Sequence, residues 1–138
     1  MSISFLLDTN IVSEPLRRDP EPAILEKLRQ HGAEIAIASI VWHELRFGVA
    51  RLPPSRRREL IERYLAEVVL PTIPVLEYDQ VAAEWHALER ARLAARGVTP
   101  PFIDGQIAAI AAVNDLVLVT RNATDFKRFK DLRVRRWA

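Results

Sequence analysis

Four acidic side chains stand out by their neighbours. Asp8 follows Leu6-Leu7, and Asp104 follows Phe102-Ile103 with Ile107 a turn later. Glu44 lies within Val41-Trp42-His43-Glu44-Leu45, and Asp125 within Asn122-Ala123-Thr124-Asp125-Phe126. A carboxylate among apolar groups is costly unless it is paired or binds a cation. Two carboxylates about 5 Å apart repel by roughly 3 kcal/mol at an effective dielectric of 20. Three or four that converge therefore need a counter-charge. Within three positions of Asp8, Asp104 or Asn122, the sequence offers only Arg121 as a cation. An all-oxygen donor set selects a hard divalent ion, Mg²⁺, with Mn²⁺ as a substitute. Such an ion activates water and stabilises a phosphoryl-transfer transition state. Each acid also has a plainer reading. Asp8 fits a turn, Asp104 a helix-dipole partner, Glu44 an exposed helix residue and Asp125 a cap.

Composition narrows the chemistry. The chain has 138 residues, no cysteine and three scattered histidines, His31, His43 and His86. Disulfides, thiolate zinc sites, iron–sulfur clusters and cysteine nucleophiles are excluded. His43 neighbours Glu44, but adjacent helix residues point in different directions, so no catalytic role is assigned to it. Hydrophobic residues make up 49% and charged residues 28%, as in an ordinary globular domain. The length predicts one domain over residues 1–138.

The elements that must position these acids follow from periodicity. Ile3–Leu7 reads as a buried strand ending at Asp8-Thr9-Asn10. Residues 22–31 read as a helix opened by Pro20 and Pro22 and stopped by Gly32. Ile35–Ser39 is strand-like, and Val41–Arg51 helical up to Pro53-Pro54. A helix is expected over 55–70, with Pro71 and Pro74 bracketing the turn that follows. Ile73–Leu76 is a short strand. Residues 79–96 place Val81, Trp85, Leu88 and Ala95 on one helical face, with Gly97 as the stop. Phe102–Asn114 is a small-residue helix, Leu116–Thr120 a strand, and Leu132–Val134 a weaker one. Trp42 and Phe47 are expected in the core. Alternating strands and helices predict an α/β fold with a mostly parallel sheet. Ligands of such sheets bind at the carboxyl ends of the strands, which is where Asp8, Glu44, Asp104, Asn122 and Asp125 fall.

The net charge of +2 conceals a pattern. Residues 46–63 carry six basic and two acidic side chains, and residues 121–138 seven and two. Residues 1–45 and 64–120 are net acidic, at −3 and −4. Basic zones beside an acidic set suit a polyanion held over a metal-dependent site. Arg46, Arg51 and Arg121 are candidates for contact with such a polyanion, RNA in the reading given below. No stretch approaches the length of a membrane span and no targeting segment is apparent, so a cytoplasmic location is expected.

Four segments resemble the motifs of the PIN-domain ribonucleases. They are Leu6-Leu7-Asp8-Thr9-Asn10 with the following Ile11-Val12-Ser13-Glu14-Pro15; Ser39–Gly48 around Glu44; Phe102–Ala109 around Asp104; and Val119–Phe126 around Asn122 and Asp125. They occur in family order and span nearly the whole chain. The nearest group resembled is the VapC-type toxins of type II toxin–antitoxin systems, including a FitB-like branch. The resemblance implies a three-layer α/β/α sandwich and Mg²⁺-dependent endoribonuclease activity on structured RNA such as tRNA or rRNA. It implies Asp8, Glu44, Asp104 and Asp125 as catalytic residues, with Asp8 and Asp104 the direct metal ligands. Thr9, Thr120 and Asn122 would support them; Asn122 stands where some members carry an acid. It further implies a cognate antitoxin, a homodimer, and operator DNA bound only through the antitoxin. A PIN-like nuclease of RNA processing or of DNA, without an antitoxin, and a catalytically weak interaction protein remain as alternatives.

Overall fold

In the computed structural model, which describes residues 2–138, every run expected to be a strand enters one sheet. The strands are β1 (Phe5–Leu7), β2 (Ile35–Ala38), β3 (Val75–Leu76), β4 (Val117–Val119) and β5 (Val134–Arg135). Their order is β3-β2-β1-β4-β5, and every pairing is parallel. Leu7 of the central strand lies beside Ile37 on one side and Val119 on the other. Neighbouring residues of a strand point to opposite faces. Leu6 and Leu7, all of β2 and all of β4 are buried, so both faces of the sheet are covered. That is the three-layer arrangement a parallel sheet requires.

The covering helices are α1 (Thr9–Val12), α2 (Pro22–Gln30), α3 (Ser39–Ala50), α4 (Arg56–Tyr64), α5 (Leu70–Thr72), α6 (Gln80–Ala95), α7 (Phe102–Val113) and α8 (Ala123–Phe126). Ser55 caps α4 by accepting from the Arg58 amide at 3.1 Å, and Asp79 caps α6 by accepting from the Ala82 amide at 2.9 Å. Gly97, at φ 76°, ends α6 as expected, with the Val98 amide returning to the Leu93 carbonyl.

Three sequence expectations are corrected. Pro71 does not stop the helix that begins at Arg56: a π-helical turn, Leu65–Val69, joins α4 to α5, and Pro71 sits inside α5. Its missing N–H and its ring interrupt the regular hydrogen-bond ladder, and the widened π turn lies directly before it. The buried face of α6 is Ala82, His86, Glu89 and Leu93, whereas Val81 and Leu88 are 59% and 74% exposed. The face is rotated because two polar groups are bonded inside. His86 Nδ1 meets the Tyr78 hydroxyl at 2.8 Å, and Glu89 accepts from Arg92 and from the Lys130 amide. Phe47 is no core residue: it is 55% exposed on α3, between the His43 ring and the Arg51 guanidinium.

Candidate active site

The carboxyl end of β1 delivers Asp8 to the mouth of the sheet. Its amide donates to the Val119 carbonyl at 2.9 Å, so the backbone there is an extension of the β1–β4 ladder. The side chain is 9% exposed. One carboxylate oxygen accepts from the Thr9 amide at 2.8 Å; the other accepts from the Thr120 hydroxyl at 2.8 Å. The Thr120 hydroxyl, fully buried, also accepts from the Asn122 amide at 3.0 Å. Thr9 and Thr120 thus fix the orientation of Asp8 and leave each of its oxygens a free lone pair. Helix capping explains only one of these two bonds.

Burial is the main reason the Asp8 carboxyl is pushed above its ordinary value. The Thr120 and Thr9 hydrogen bonds oppose the rise, and the charge of Glu44 adds to it. Asp104, in the first turn of α7, is raised in the same way. Burial is again the largest cause, followed by repulsion from Asp8 and from Asp125, with Arg128 opposing. Asp104 makes no hydrogen bond and no ion pair among the described residues. Its mutual repulsions link it with Asp8 and Asp125, and Asp8 with Glu44, so the four acids share one electrostatic neighbourhood. Glu44 is half-buried on α3 and borders a shallow groove with Thr9, Arg17, Gly48 and Arg57. Asp125 and Asn122 are exposed at the start of α8.

The donor chemistry fits a hard divalent cation at Asp8 and Asp104. Both are oxygen ligands, both are held above their normal pKa by burial, and neither is neutralised by an ion pair. Among the described residues no set of three or more His, Cys, Asp or Glu side chains is gathered closely enough to hold an ion. A two-carboxylate site still suits Mg²⁺, which keeps several waters and takes the rest of its shell from substrate phosphate.

The three arginines expected at RNA divide. Arg46 is exposed on α3, and Arg51 is exposed directly after it. Arg121 is committed elsewhere: its guanidinium donates to Glu14 at 2.6 Å, its amide to Asn10 at 3.2 Å. Glu14 is fully buried and also accepts from the Glu21 amide at 2.7 Å. Burial alone would raise its pKa, but the Glu21 amide, Arg121 and Arg17 together hold it below the ordinary value. Sequence reasoning missed this ion pair, whose partners are 107 residues apart. It also missed the close seat of His86 on α7, where a Cβ at Gly105 would come within 2.2 Å of His86 Nε2. Glycine directly after Asp104 was the one available signal.

Residues 5–132 match the PIN domain family. The chain is 32% identical to the tRNA(fMet)-specific endonuclease VapC of Salmonella typhimurium, covering 98% of each protein. It is 32% identical to toxin FitB of Neisseria gonorrhoeae, covering 88% of this chain and 89% of FitB. Among solved structures, FitAB bound to an IR36 DNA fragment superposes with a TM-score of 0.89 at 29% identity, covering 97% of this chain and 96% of that one.

Proposed function

The chain belongs to the PIN domain family, and from that premise we propose that it is a metal-dependent endoribonuclease toxin restrained by a cognate antitoxin. The observation that supports this best is the pair Asp8 and Asp104: two desolvated carboxylates at the carboxyl end of the sheet with no ion-pair partner. Relatives named as an RNA endonuclease and as a toxin support the same reading, as does a FitAB complex on DNA. The substrate class is structured RNA, tRNA or rRNA, and the working unit a homodimer. Operator DNA is bound through the antitoxin.

Asp8 and Asp104 would hold Mg²⁺, with Mn²⁺ as a substitute. When bound, the ion supplies positive charge to the scissile phosphate and acidifies a water for in-line attack. The chain's own residues do the rest. Thr120 and Thr9 hold the Asp8 carboxylate in one rotamer. Repulsion among Asp8, Asp104, Asp125 and Glu44 keeps the mouth attractive to cations and closed to phosphate until one is present. Arg17 and Arg57 border the groove beside Glu44, and the exposed Arg46 and Arg51 lie near it in the chain; these cations would neutralise RNA phosphates. Asn122 contributes a neutral position where a further acid would add charge.

The test is expression of the chain with and without a neighbouring antitoxin gene, with growth scored and RNA ends mapped. Purified protein is assayed in Mg²⁺ and in EDTA. The reading predicts growth arrest relieved by the antitoxin and a few discrete RNA ends that require Mg²⁺. Cleavage that persists in EDTA would overturn the metal requirement, and growth unaffected by the chain alone would overturn the toxin reading.

A further inference from the structure

We propose that the cavity between α6 and α7 receives one unstacked base of the RNA, next to the phosphate that is cut, and thereby selects the cleavage position. The proposal rests on the ribonuclease reading and adds the means of base selection. The cavity measures about 350 Å³, at the small end of ligand pockets. Its lining includes the aromatic residues His86, Phe102 and Phe129. The Phe102 ring is 51% exposed, with the Arg90 guanidinium 5.2 Å from its centroid and the His86 ring at 4.8 Å. Aromatic and guanidinium planes of this kind stack on splayed-out RNA bases.

Polarity points to the same ligand. His86 is 4% exposed, and its Nδ1 is taken by Tyr78 while Nε2 has no hydrogen-bond partner among the described residues. Either tautomer leaves Nε2 one bond to offer: a donor when Tyr78 gives its proton to Nδ1, an acceptor when Nδ1 gives its own. The one charged side chain lining the cavity is Arg90, and no acid is present. That favours an electron-rich, neutral ring and disfavours a basic side chain.

Position gives the cavity its meaning. Phe102 lies two residues before Asp104 and Gly105 directly after it, both in the cavity wall. Phe129 follows Arg128, whose charge acts on Asp104. Asp104 is not itself in the cavity wall, but it stands on the same first turn of α7 as Phe102 and Gly105, within about 5 Å of helix rise, so a base seated here belongs to a nucleotide beside the reacting phosphate. Gly105 lets the His86 ring lie close against α7 in the cavity wall, because any Cβ there would collide with it.

The test uses the full chain with Phe102→Ala, Phe102→Tyr and Arg90→Ala, each checked for an unchanged Tm. The probe is a single-stranded RNA pool of randomised sequence, cut in Mg²⁺ and sequenced at the new ends. Wild type should show a base preference at one position flanking the cut. Phe102→Ala and Arg90→Ala should lose that preference and roughly ten- to hundredfold in kcat/KM, the range expected for one lost stacking contact; Phe102→Tyr should restore both. In parallel, RNA containing 2-aminopurine is bound to Asp8→Asn, where quenching reports stacking without cleavage. Quenching abolished by adding Phe102→Ala supports the pocket even if no RNA is cut, an outcome that would count against the ribonuclease reading alone. Base preference and quenching unchanged in both alanine variants overturn the proposal. If those variants instead release the antitoxin, the cavity is a protein-docking pocket and the proposal fails.

Discussion

Asp8 and Glu14 are both buried acids on the same short stretch of chain, yet their surroundings are opposites. Glu14 is met by the Glu21 amide, Arg121 and Arg17, which hold its pKa below the ordinary value. Asp8 is met by a hydroxyl and one amide, faces the charges of Glu44 and Asp104, and is pushed up. Burial is shared, so burial does not mark the site. What separates them is whether the protein itself supplies the opposite charge. Glu14 is satisfied internally and locks the turn after α1 to the segment after β4. Asp8 and Asp104 are left for something from outside.

The contrast can be broken most forcefully at the reaction. Asp8→Asn and Asp104→Asn should each lower RNA cleavage about a thousandfold or more, because several kcal/mol of charge stabilisation depend on them. Neither should lower Tm measured without divalent ions. Either variant cleaving at the wild-type rate would erase the distinction. Glu14→Gln should do the reverse, lowering stability by about 3 kcal/mol as it leaves Arg121 without its partner, with the loss read from chemical denaturation.

The two acids should also differ in the direction of their pH dependence. Glu14 stabilises fully above the ordinary glutamate value of 4.5, and its contribution is lost as pH falls through its lowered folded pKa. The gap between Glu14→Gln and wild type should therefore close in acid. Asp8 costs stability once pH rises above 3.8 and through its raised folded pKa. Asp8→Asn should then be the more stable protein at neutral pH, with the advantage gone below 3.8. Parallel slopes in the two variants would remove the basis of the comparison. A smaller effect is expected at Thr120→Val, which deletes the hydroxyl between Asp8 and the Asn122 amide at about 1–2 kcal/mol. It should also move the acidic limb of the pH–rate profile upward, since one bond that lowers the Asp8 pKa is gone; Thr120→Ser should restore it. Of similar size is the response to Mg²⁺: at ten times its Kd it should stabilise wild type by about 1.4 kcal/mol and leave Asp8→Asn unchanged.

Much of the fold was legible because its signals are local. Short apolar runs became strands, caps and glycine fixed helix ends, and the acids fell at the carboxyl ends of a parallel sheet. The α6 face was misjudged because apolar spacing was equated with burial, whereas His86 and Glu89 are buried through bonds to Tyr78, Arg92 and the Lys130 amide. Phe47 was misjudged for the same reason. The basic neighbourhood of Arg121 is visible in the chain, whereas its ion pair with Glu14, 107 residues away, is not. Charge can be counted in a sequence, but which charges are already matched is decided by contacts between distant segments.

The bond from Thr120 to Asp8 joins residues 112 positions apart. Asp8 leaves the ribosome early, but the strand beside it and the hydroxyl that orients it come much later. A nascent or prematurely terminated chain thus holds the acid without its setting. The acid is oriented only after the region around Thr120 has been translated and paired, so its setting is among the last parts of the fold to be completed.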